Sequence, residues 1–564
     1  MSESSSQVGQ TRAEKLVSFL IASVAVLAGF ITYMQTYSAG KGAEADRLSS
    51  QFAVQAMQVR TTGQTRVSHE RQGAYQTWYE LDLQALGAEL AGDDAAAARY
   101  RSVRDHITAL SPIFGGAYYD PASGYGPNVS KYEADLYVVD STRLTEKFTA
   151  YNKLSNAWSD RAKSFIVHLT LLAVSLSLFG LSTTMRGFMR GVFIALGIVN
   201  AGVVVLWALI VMVMPLPSMS EAAIESYANG VGKAWYGDSD GAIADFDQAL
   251  ALEPGYANAL YERGNAYYSQ GDFQSALANY EAAAQAGRDD TSVGWNLGWT
   301  YYLVGRFDEA IATDRAVLAK DPSLIGVQFN LALALLANGD LAEAETEYYR
   351  GVNQAVDEVA RARAGNLAPP SSFWHSMDAA AQDLESLLLE LDGNARWWSQ
   401  APNRGAITAD QAQIRDLASR MFQALRDTTT ALEFTGGAPV PPGAAITISP
   451  FEFALEKYDS DGKFLNYEKA TSFAYRTNSI TVMFDYSGLT PGQSELWKVY
   501  HNGREDPTLR VINAWGLKDS GSAVKLISYA YSNLFIFAPG EYTVELYIDS
   551  HLVQRGTFIV EESK

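Results

Sequence analysis

The hydropathy pattern of the chain is dominated by three uncharged apolar runs, at residues 16–34, 165–185 and 192–214. A hydrocarbon core about 30 Å thick needs roughly 20 helical residues at about 1.5 Å per residue. Each run meets that length, so the pattern predicts three transmembrane helices. The first run also fits a secretory signal peptide, with Arg12 and Lys15 before it, but it is longer than the usual apolar region of such a peptide.

The basic residues beside these runs predict an orientation. Arg186 and Arg190 lie between the second and third runs without an acid, whereas no Lys or Arg follows the third run before Lys233. Cytoplasmic loops carry the excess of Lys and Arg, so we expect this short segment to be cytoplasmic. Several basic residues on the opposite flanks weigh against this orientation, and the reversed one stays open. The predicted order is a cytoplasmic tail at 1–15, an extracytoplasmic segment at 35–164, a cytoplasmic loop at 186–191 and extracytoplasmic domains after residue 214.

Two polar residues within the runs, His168 and Asn200, are candidates for function because polar groups in lipid are costly. His168 is close to the outer end of its run, where it is expected to reach the membrane interface. Asn200 is expected to make one interhelical hydrogen bond. Neither residue therefore predicts a transport or proton-relay role.

Residues 35–164 are expected to form a helical bundle that stands on the membrane. Apolar residues recur at helical spacing over 48–59 and 144–158, so both ends are predicted to continue the membrane helices outward. The segment resembles the four-helix extracytoplasmic domains of bacterial receptors. An aromatic loop around Phe114 and Tyr119 either contacts a ligand or caps the end of the bundle, and capping is the favoured interpretation.

After the third run the sequence repeats with a period of 34 residues. Glycines and alanines mark the period at Gly237, Gly271, Gly305 and Gly339, and at Ala242, Ala276, Ala310 and Ala344. Small residues let two antiparallel helices pack closely, and glycine permits the tight turn between them. The pattern resembles the tetratricopeptide repeat, with four repeats over 223–356. The resemblance implies an α-superhelix whose first helices line a concave groove.

The positions implied by the resemblance make the groove mostly aromatic and nearly free of Lys and Arg. They are Tyr227, Tyr261, Asn265, Tyr268, Trp295, Trp299, Tyr302 and Phe329. A ligand held by its terminal carboxylate is therefore not expected. Rings and amides suit an extended apolar or Pro-containing peptide of a protein partner, because the rings bury area and the amides fix the backbone.

Two features modify this prediction for the groove. Residues 357–435 contain amphipathic patterns at 373–392 and 407–434, which predict two helices that cap the array or fill the groove, so external peptide and internal helix stay equally open. Residues 221–350 carry 20 acids against 7 bases, a net charge of −13. That charge would steer a basic partner, although solubility is the simpler explanation.

The C-terminal part of the chain changes to a period of two. Residues 436–444 have the composition of a linker, and 445–564 contain six predicted strands at 446–455, 479–486, 495–501, 523–531, 541–548 and 552–560. This domain resembles an immunoglobulin-like β-sandwich. Asp459 and Asp461 hint at a calcium loop, but a hairpin turn explains them better.

Composition excludes several functional classes. The chain of 564 residues has no cysteine, which rules out disulfides and thiolate chemistry, and its net charge of −20 speaks against nucleic acid. None of its six histidines has a metal-binding spacing, and no nucleotide or nucleophile motif is present. We therefore expect neither an enzyme nor a cofactor nor a metal site.

The sequence thus predicts a multidomain α plus β membrane protein, with three transmembrane helices, a helical bundle, a repeat superhelix and an antiparallel β-sandwich. The leading hypothesis is a bacterial cell-envelope scaffold that contacts membrane lipid, binds other proteins and takes part in assembling surface structures; homo-oligomers stay open. A sensory subunit and a glycan-binding surface protein are the alternatives.

Overall fold

The computed structural model describes residues 12–90, 92–120, 126–365, 371–396, 399–433, 446–458, 464–474, 477, 479–489, 493–502, 504–506, 509–515, 520–528, 537–548 and 551–561. The described residues form helices up to 433 and strands beyond 446. They fall into two units, Met1–Ser68 with Asn128–Ala259, and His69–Pro127 with Leu260–Lys564. The predicted tail at 1–15, the predicted linker at 436–444 and the predicted turn around Asp459 lie wholly or mostly outside the described residues.

The helices are α1 (Arg12–Glu70), α2 (Gln76–Leu90), α3 (Asp94–Thr108), α4 (Val129–Glu133), α5 (Val139–Thr184), α6 (Phe188–Val213), α7 (Glu221–Trp235), α8 (Ser239–Leu252), α9 (Ala257–Ser269), α10 (Phe273–Gln285), α11 (Thr291–Leu303), α12 (Phe307–Lys320), α13 (Ile325–Asn338), α14 (Leu341–Ala364), α15 (Ser371–Leu391) and α16 (Gln411–Glu433). Single π-helical turns, Arg71–Tyr75 and Ala134–Val138, follow α1 and precede α5.

Helices α1, α5 and α6 of the first unit are long and apolar enough to cross a membrane. They share an apolar seam in which residues such as Ile31, Phe165 and Val204 are fully buried. Arg190, near the start of α6, lies 3.8 Å from Glu14, near the start of α1. The beginning of α1 and the turn between α5 and α6 are therefore at the same end of this three-helix bundle.

The two polar residues of the apolar runs both face neighbouring helices. Asn200 donates to the Leu171 carbonyl (2.7 Å) and to Ser175 Oγ (2.9 Å), which confirms the predicted interhelical bond. His168 does not reach an interface: it is buried, with its ring centroid 4.5 Å from that of Trp207. The reason is its place in the seam of α5, four residues before the buried Leu172.

The repeat region packs against the N-terminal part of α5, both through α7 and through the start of the second repeat. Glu146 of α5 is 6% exposed and accepts hydrogen bonds from Tyr256 Oη and Asn258 Nδ2, both at 2.9 Å. Close approach at a second point is permitted by Gly232, where a Cβ would lie 2.5 Å from a methyl group of Val139. The repeats and helix α5 therefore pack directly against each other.

The segment between the two halves of the first unit carries the aromatic loop. Trp78 of α2 contacts Phe114 and Tyr119, with ring centroids 5.7 Å away in both cases, and all three rings are buried. The three rings therefore pack against one another within this segment.

The β-rich region contains β1 (Thr447–Ile448), β2 (Glu452–Tyr458), β3 (Phe464–Lys469), β4 (Ser472–Phe473), β5 (Ser479–Ser487), β6 (Ser494–His501), β7 (Arg504–Glu505), β8 (Val511–Ala514), β9 (Ser520–Ser528), β10 (Gly540–Ile548) and β11 (His551–Val560). One sheet has the order β1-β5-β2-β3 with β9 on β5. The other has the order β4-β11-β10-β6-β7 with β8 on β6.

The two sheets share one core, in which Val482 and Phe484 of β5 meet Trp497 of β6 and Val544 of β10. This confirms a β-rich C-terminal domain, whereas the immunoglobulin-like topology stays a prediction. The strand expected at 523–531 begins earlier, at Ser520, because its pairing with β5 extends to Ser487. The short strands β3, β4, β7 and β8 were not predicted, since they are too short or too polar to show a clear alternation.

Candidate functional site

The turns of the repeats follow the predicted glycine spacing. Each of the four glycines has a left-handed backbone, with φ of 85°, 78°, 80° and 95° at Gly237, Gly271, Gly305 and Gly339. Residues with a Cβ adopt this conformation only at a cost, so glycine is required at each turn. The repeat prediction is confirmed at the level of its backbone geometry.

Two of the predicted groove residues, Tyr261 and Asn265, are held in a polar network between adjacent repeats. Asn296 donates to Tyr261 Oη (3.0 Å) and to Asn265 Oδ1 (3.2 Å), and Tyr280 Oη donates to Asn265 Oδ1 (2.7 Å). The guanidinium of Arg288 lies 3.7 Å from the centre of the Tyr261 ring. Most of the bonding capacity of these two side chains is therefore used within the protein.

Tyr227 and Tyr302 do not line a groove. Tyr227, in the first unit, is buried against Phe246 and Tyr256, with ring centroids 5.9 and 4.9 Å away. Tyr302 is 1% exposed in the interhelical core, and burial raises the pKa of its hydroxyl well above the ordinary value. The family position faces a groove in general, but in this repeat the ring packs against Trp299 and Phe307, with ring centroids 5.1 and 6.1 Å away.

The other four predicted residues meet at one cavity of about 680 Å³. Tyr268, Trp295, Trp299 and Phe329 line it from the repeats, together with Gly326 and Asn330. The opposite wall is helix α15, with Gln400 at one edge. The residues of α15 that line the cavity are His375, Ser376, Ala379, Ala380 and Asp383.

Helix α15 explains why a cavity remains in the groove. Its large apolar residues, including Met377, Leu384 and Leu387, are buried in the core shared with the repeats and α16. Its cavity-facing residues at 376, 379, 380 and 383 are small or polar and follow the spacing i, i+3, i+4, i+7 of one helix face. The chain's own helix therefore narrows the groove to a pocket without filling it.

Hydrogen bonds hold the aromatic wall in place. Trp299 Nε1 donates to Tyr268 Oη (2.7 Å), which donates to Gln400 Oε1 (2.6 Å). With its amide nitrogen directed to the Gly326 carbonyl (3.1 Å), Asn330 accepts from Trp295 Nε1 (3.3 Å). Both indole N–H groups are thus engaged, and burial raises the pKa of Tyr268, which keeps its hydroxyl neutral.

Gly326 sets the depth of the cavity beside Trp295. A Cβ at position 326 would lie 2.6 Å from Cζ2 of Trp295, which is closer than carbon atoms approach. Any larger residue would displace the indole ring toward the space that it now borders. The position is therefore a steric determinant of the cavity.

Sequence reasoning missed the amides and the small face of α15. Asn296 and Asn330 are 34 residues apart. Each makes a hydrogen bond with an aromatic side chain 35 residues earlier, Asn296 with Tyr261 and Asn330 with Trp295. The period itself could have revealed this pair. The helical spacing of the small residues of α15 is visible in the sequence, but the sequence does not show which surface this face contacts.

The titratable side chains among the described residues that line the cavity are Tyr268, His375 and Asp383. Among the residues that the structure describes, no group of three or more His, Asp or Glu side chains could hold a metal ion. The geometry instead provides flat apolar surfaces with a few fixed polar atoms, an arrangement typical of ligand recognition.

Comparison with known proteins agrees with the repeat architecture. The sequence profile of the tetratricopeptide repeat family matches residues 237–291, 261–325 and 296–357. No curated protein matches the chain significantly.

Solved structures similar to the chain include "YrrB: a TPR protein with an unusual peptide-binding site", at 17% identity and a TM-score of 0.24, over 35% of this chain and 86% of that one. They also include MamA of Desulfovibrio magneticus RS-1, at 12% identity and a TM-score of 0.27, over 38% and 100%. The alkylpurine DNA glycosylase AlkC of Pseudomonas fluorescens matches at 11% identity and a TM-score of 0.22, over 73% and 97%. Scores this low carry no argument about function. The match to the family profile shows that this chain contains tetratricopeptide repeats, which are protein-interaction modules.

Proposed function

We propose that the chain is a membrane-anchored, non-catalytic scaffold that binds a segment of a partner protein in the cavity between the repeats and α15. The observation that carries this proposal is the cavity of about 680 Å³, walled by Tyr268, Trp295, Trp299 and Phe329. Buried aromatic anchors dominate the binding energy of protein interfaces, and a preformed pocket avoids the cost of ordering the site.

The anchoring part of the proposal rests on the composition and length of α1, α5 and α6. Arg186 and Arg190 favour the cytoplasm for the turn between α5 and α6. With that orientation the repeats and the β-rich region are extracytoplasmic. We place the protein in the cell envelope, where such a scaffold would organise surface proteins.

The test compares three full-length proteins purified from membranes in mild detergent. Ala380→Trp places a large ring on the α15 wall and fills the cavity, whereas Ala360→Trp makes the same change on an exposed position of α14. The expected result is that at least one protein is retained by the wild type and by Ala360→Trp and is lost with Ala380→Trp, by quantitative mass spectrometry. Identical retention by all three, with unchanged folding, would contradict a binding role for the cavity.

A further inference from the structure

We propose that the cavity selects a positively charged side chain, Lys or Arg, of the partner segment. The inference deepens the scaffold function and rests on it. It follows from the chemistry of the cavity walls. They combine aromatic rings, donor groups that already make hydrogen bonds within the protein, and the carboxylate of Asp383.

The aromatic walls offer ring carbons and not donors. The N–H groups of Trp295 and Trp299 are already bonded to Asn330 and Tyr268, and the Tyr268 hydroxyl donates to Gln400. These three rings therefore supply no donor to an acceptor of the ligand. A cation, in contrast, is attracted by the quadrupole of Trp and Tyr rings, and the attraction is strongest in a desolvated site.

The charge of the cavity has the sign that suits a cation. Asp383 lies on the α15 wall, and the described residues that line the cavity include neither Lys nor Arg. Burial is the main cause of the raised pKa of Tyr268, the hydrogen bond from Trp299 lowers it, and the negative charge of Asp383 raises it further. His375, the other titratable residue of that wall, is exposed and lies about 12 Å from Asp383 along the helix, at about 1.5 Å per residue.

The surroundings add a longer-range field of the same sign. Within the unit that contains the cavity, residues 260–350 hold 13 acids and 6 bases, and the excess of acids raises the local concentration of basic segments. The cavity volume exceeds that of one Lys or Arg side chain, which leaves room for the backbone that carries it. A basic residue within an extended segment is therefore the occupant that charge, rings and size all fit.

The test uses three labelled peptides of sequence Gly-Ser-Gly-X-Gly-Ser-Gly, with arginine, its neutral isostere citrulline, or norleucine at X. Binding to the full-length protein in detergent is measured by fluorescence anisotropy. The arginine peptide is expected to bind about tenfold more tightly than the citrulline peptide. Asp383→Asn should remove this preference, and Asp357→Asn, an exposed change on α14, should retain it.

Each outcome decides the proposal. Equal affinities for arginine and citrulline, both lost with Ala380→Trp, would overturn the charge selectivity and leave the scaffold function standing. Arginine binding that Ala380→Trp does not change, or no binding of the arginine peptide, would also overturn the inference, and the scaffold function is then decided by the purification above. Circular dichroism of each variant separates a local effect from loss of folding.

Discussion

The carboxylate of Asp314 packs directly on Gly298: a Cβ at position 298 would lie 2.0 Å from Oδ1. The first and second repeats place Phe246 and Tyr280 in the same relation to a glycine, 68 and 34 residues earlier. Asp314 is 1% exposed, and neither of its oxygens has a hydrogen-bond partner among the described residues. The third repeat therefore contains a buried acid where its neighbours have a ring.

The buried carboxyl group of Asp314 predicts that α11 and α12 become less stable as pH rises. Burial raises the pKa of Asp314 well above its ordinary value of 3.8. Below that value both folded and unfolded chains are protonated and no penalty arises; above it only the unfolded chain ionises, so the free energy of unfolding falls as pH rises toward the folded pKa. Asp314→Leu removes the unpaired oxygens and is expected to stabilise the repeat by about 1–3 kcal/mol near neutral pH.

Hydrogen exchange of α11 and α12, followed by mass spectrometry at pH 5 and pH 8, checks this prediction. Comparing Asp314→Leu with the wild type at each pH cancels the intrinsic pH dependence of exchange. The gain in protection should be larger at pH 8. A gain of equal size at both values would show that the carboxyl is not the cause.

A second prediction concerns the contact of α16 with the β-rich region. Arg426 donates to Glu545 Oε2 (2.8 Å) and to the hydroxyls of Tyr500 (2.6 Å) and Tyr547 (2.8 Å). Glu545 is 1% exposed; burial alone would raise its pKa, but Arg426, the Tyr547 hydroxyl and Arg555 outweigh burial and lower it. Arg426→Ala leaves this buried carboxylate with one cation fewer, which should cost about 2–5 kcal/mol.

The expected consequence is faster proteolysis at the boundary between α16 and the β-rich region, measured by limited digestion of the full chain. Arg420→Ala is the matched control, because Arg420 is exposed and its pairs with Glu345 and Asp416 are at the surface. Such pairs contribute little to stability. Equal digestion rates of both variants would show that the buried network does not hold the two parts together.

A third prediction uses the absence of cysteine to test the packing of α7 on α5. A Cβ built at Gly232 would lie 3.9 Å from Cβ of Val139, within the range of disulfide geometry. Since the chain has no cysteine, Val139→Cys with Gly232→Cys should form one disulfide on oxidation, detected by intact mass. Val139→Cys with Ala222→Cys should not, because positions 222 and 232 are about 15 Å apart along α7.

A fourth prediction concerns orientation in the membrane. Trypsin added to intact cells should remove epitopes in the repeats and in the β-rich region, while a tag before residue 1 and a cytoplasmic control protein survive. The expectation follows from Arg186 and Arg190 in the turn between α5 and α6. Survival of both epitopes until the cells are lysed would reverse the orientation and place the scaffold in the cytoplasm.

Sequence periodicity was sufficient for the backbone of the repeats. The 34-residue spacing of Gly237, Gly271, Gly305 and Gly339 requires a left-handed residue at each turn, and the structure has one at each. Long-range contacts were not accessible in this way. Tyr268 and Tyr302 occupy equivalent repeat positions, yet Tyr268 lines the cavity and Tyr302 is buried in the core.

The cavity itself could not be predicted for the same reason. The amphipathic pattern of α15 shows which face is strongly apolar, and that face packs in the core. The neighbouring face, with Ala379 and Ala380, is too small to fill the groove, but the sequence does not state which surface it meets. Whether a groove is open or filled depends on that pairing of distant segments.

Binding of a partner segment in the cavity can be detected with a photo-cross-linking amino acid at position 379. Ala379 is exposed and lines the cavity, so a reactive group there would contact a bound segment. In intact cells we predict a cross-linked adduct with a second protein that disappears when Ala380→Trp is added and is absent when the same group is placed at position 360. Adducts confined to the protein's own chain, or adducts that persist with Ala380→Trp, would contradict the account.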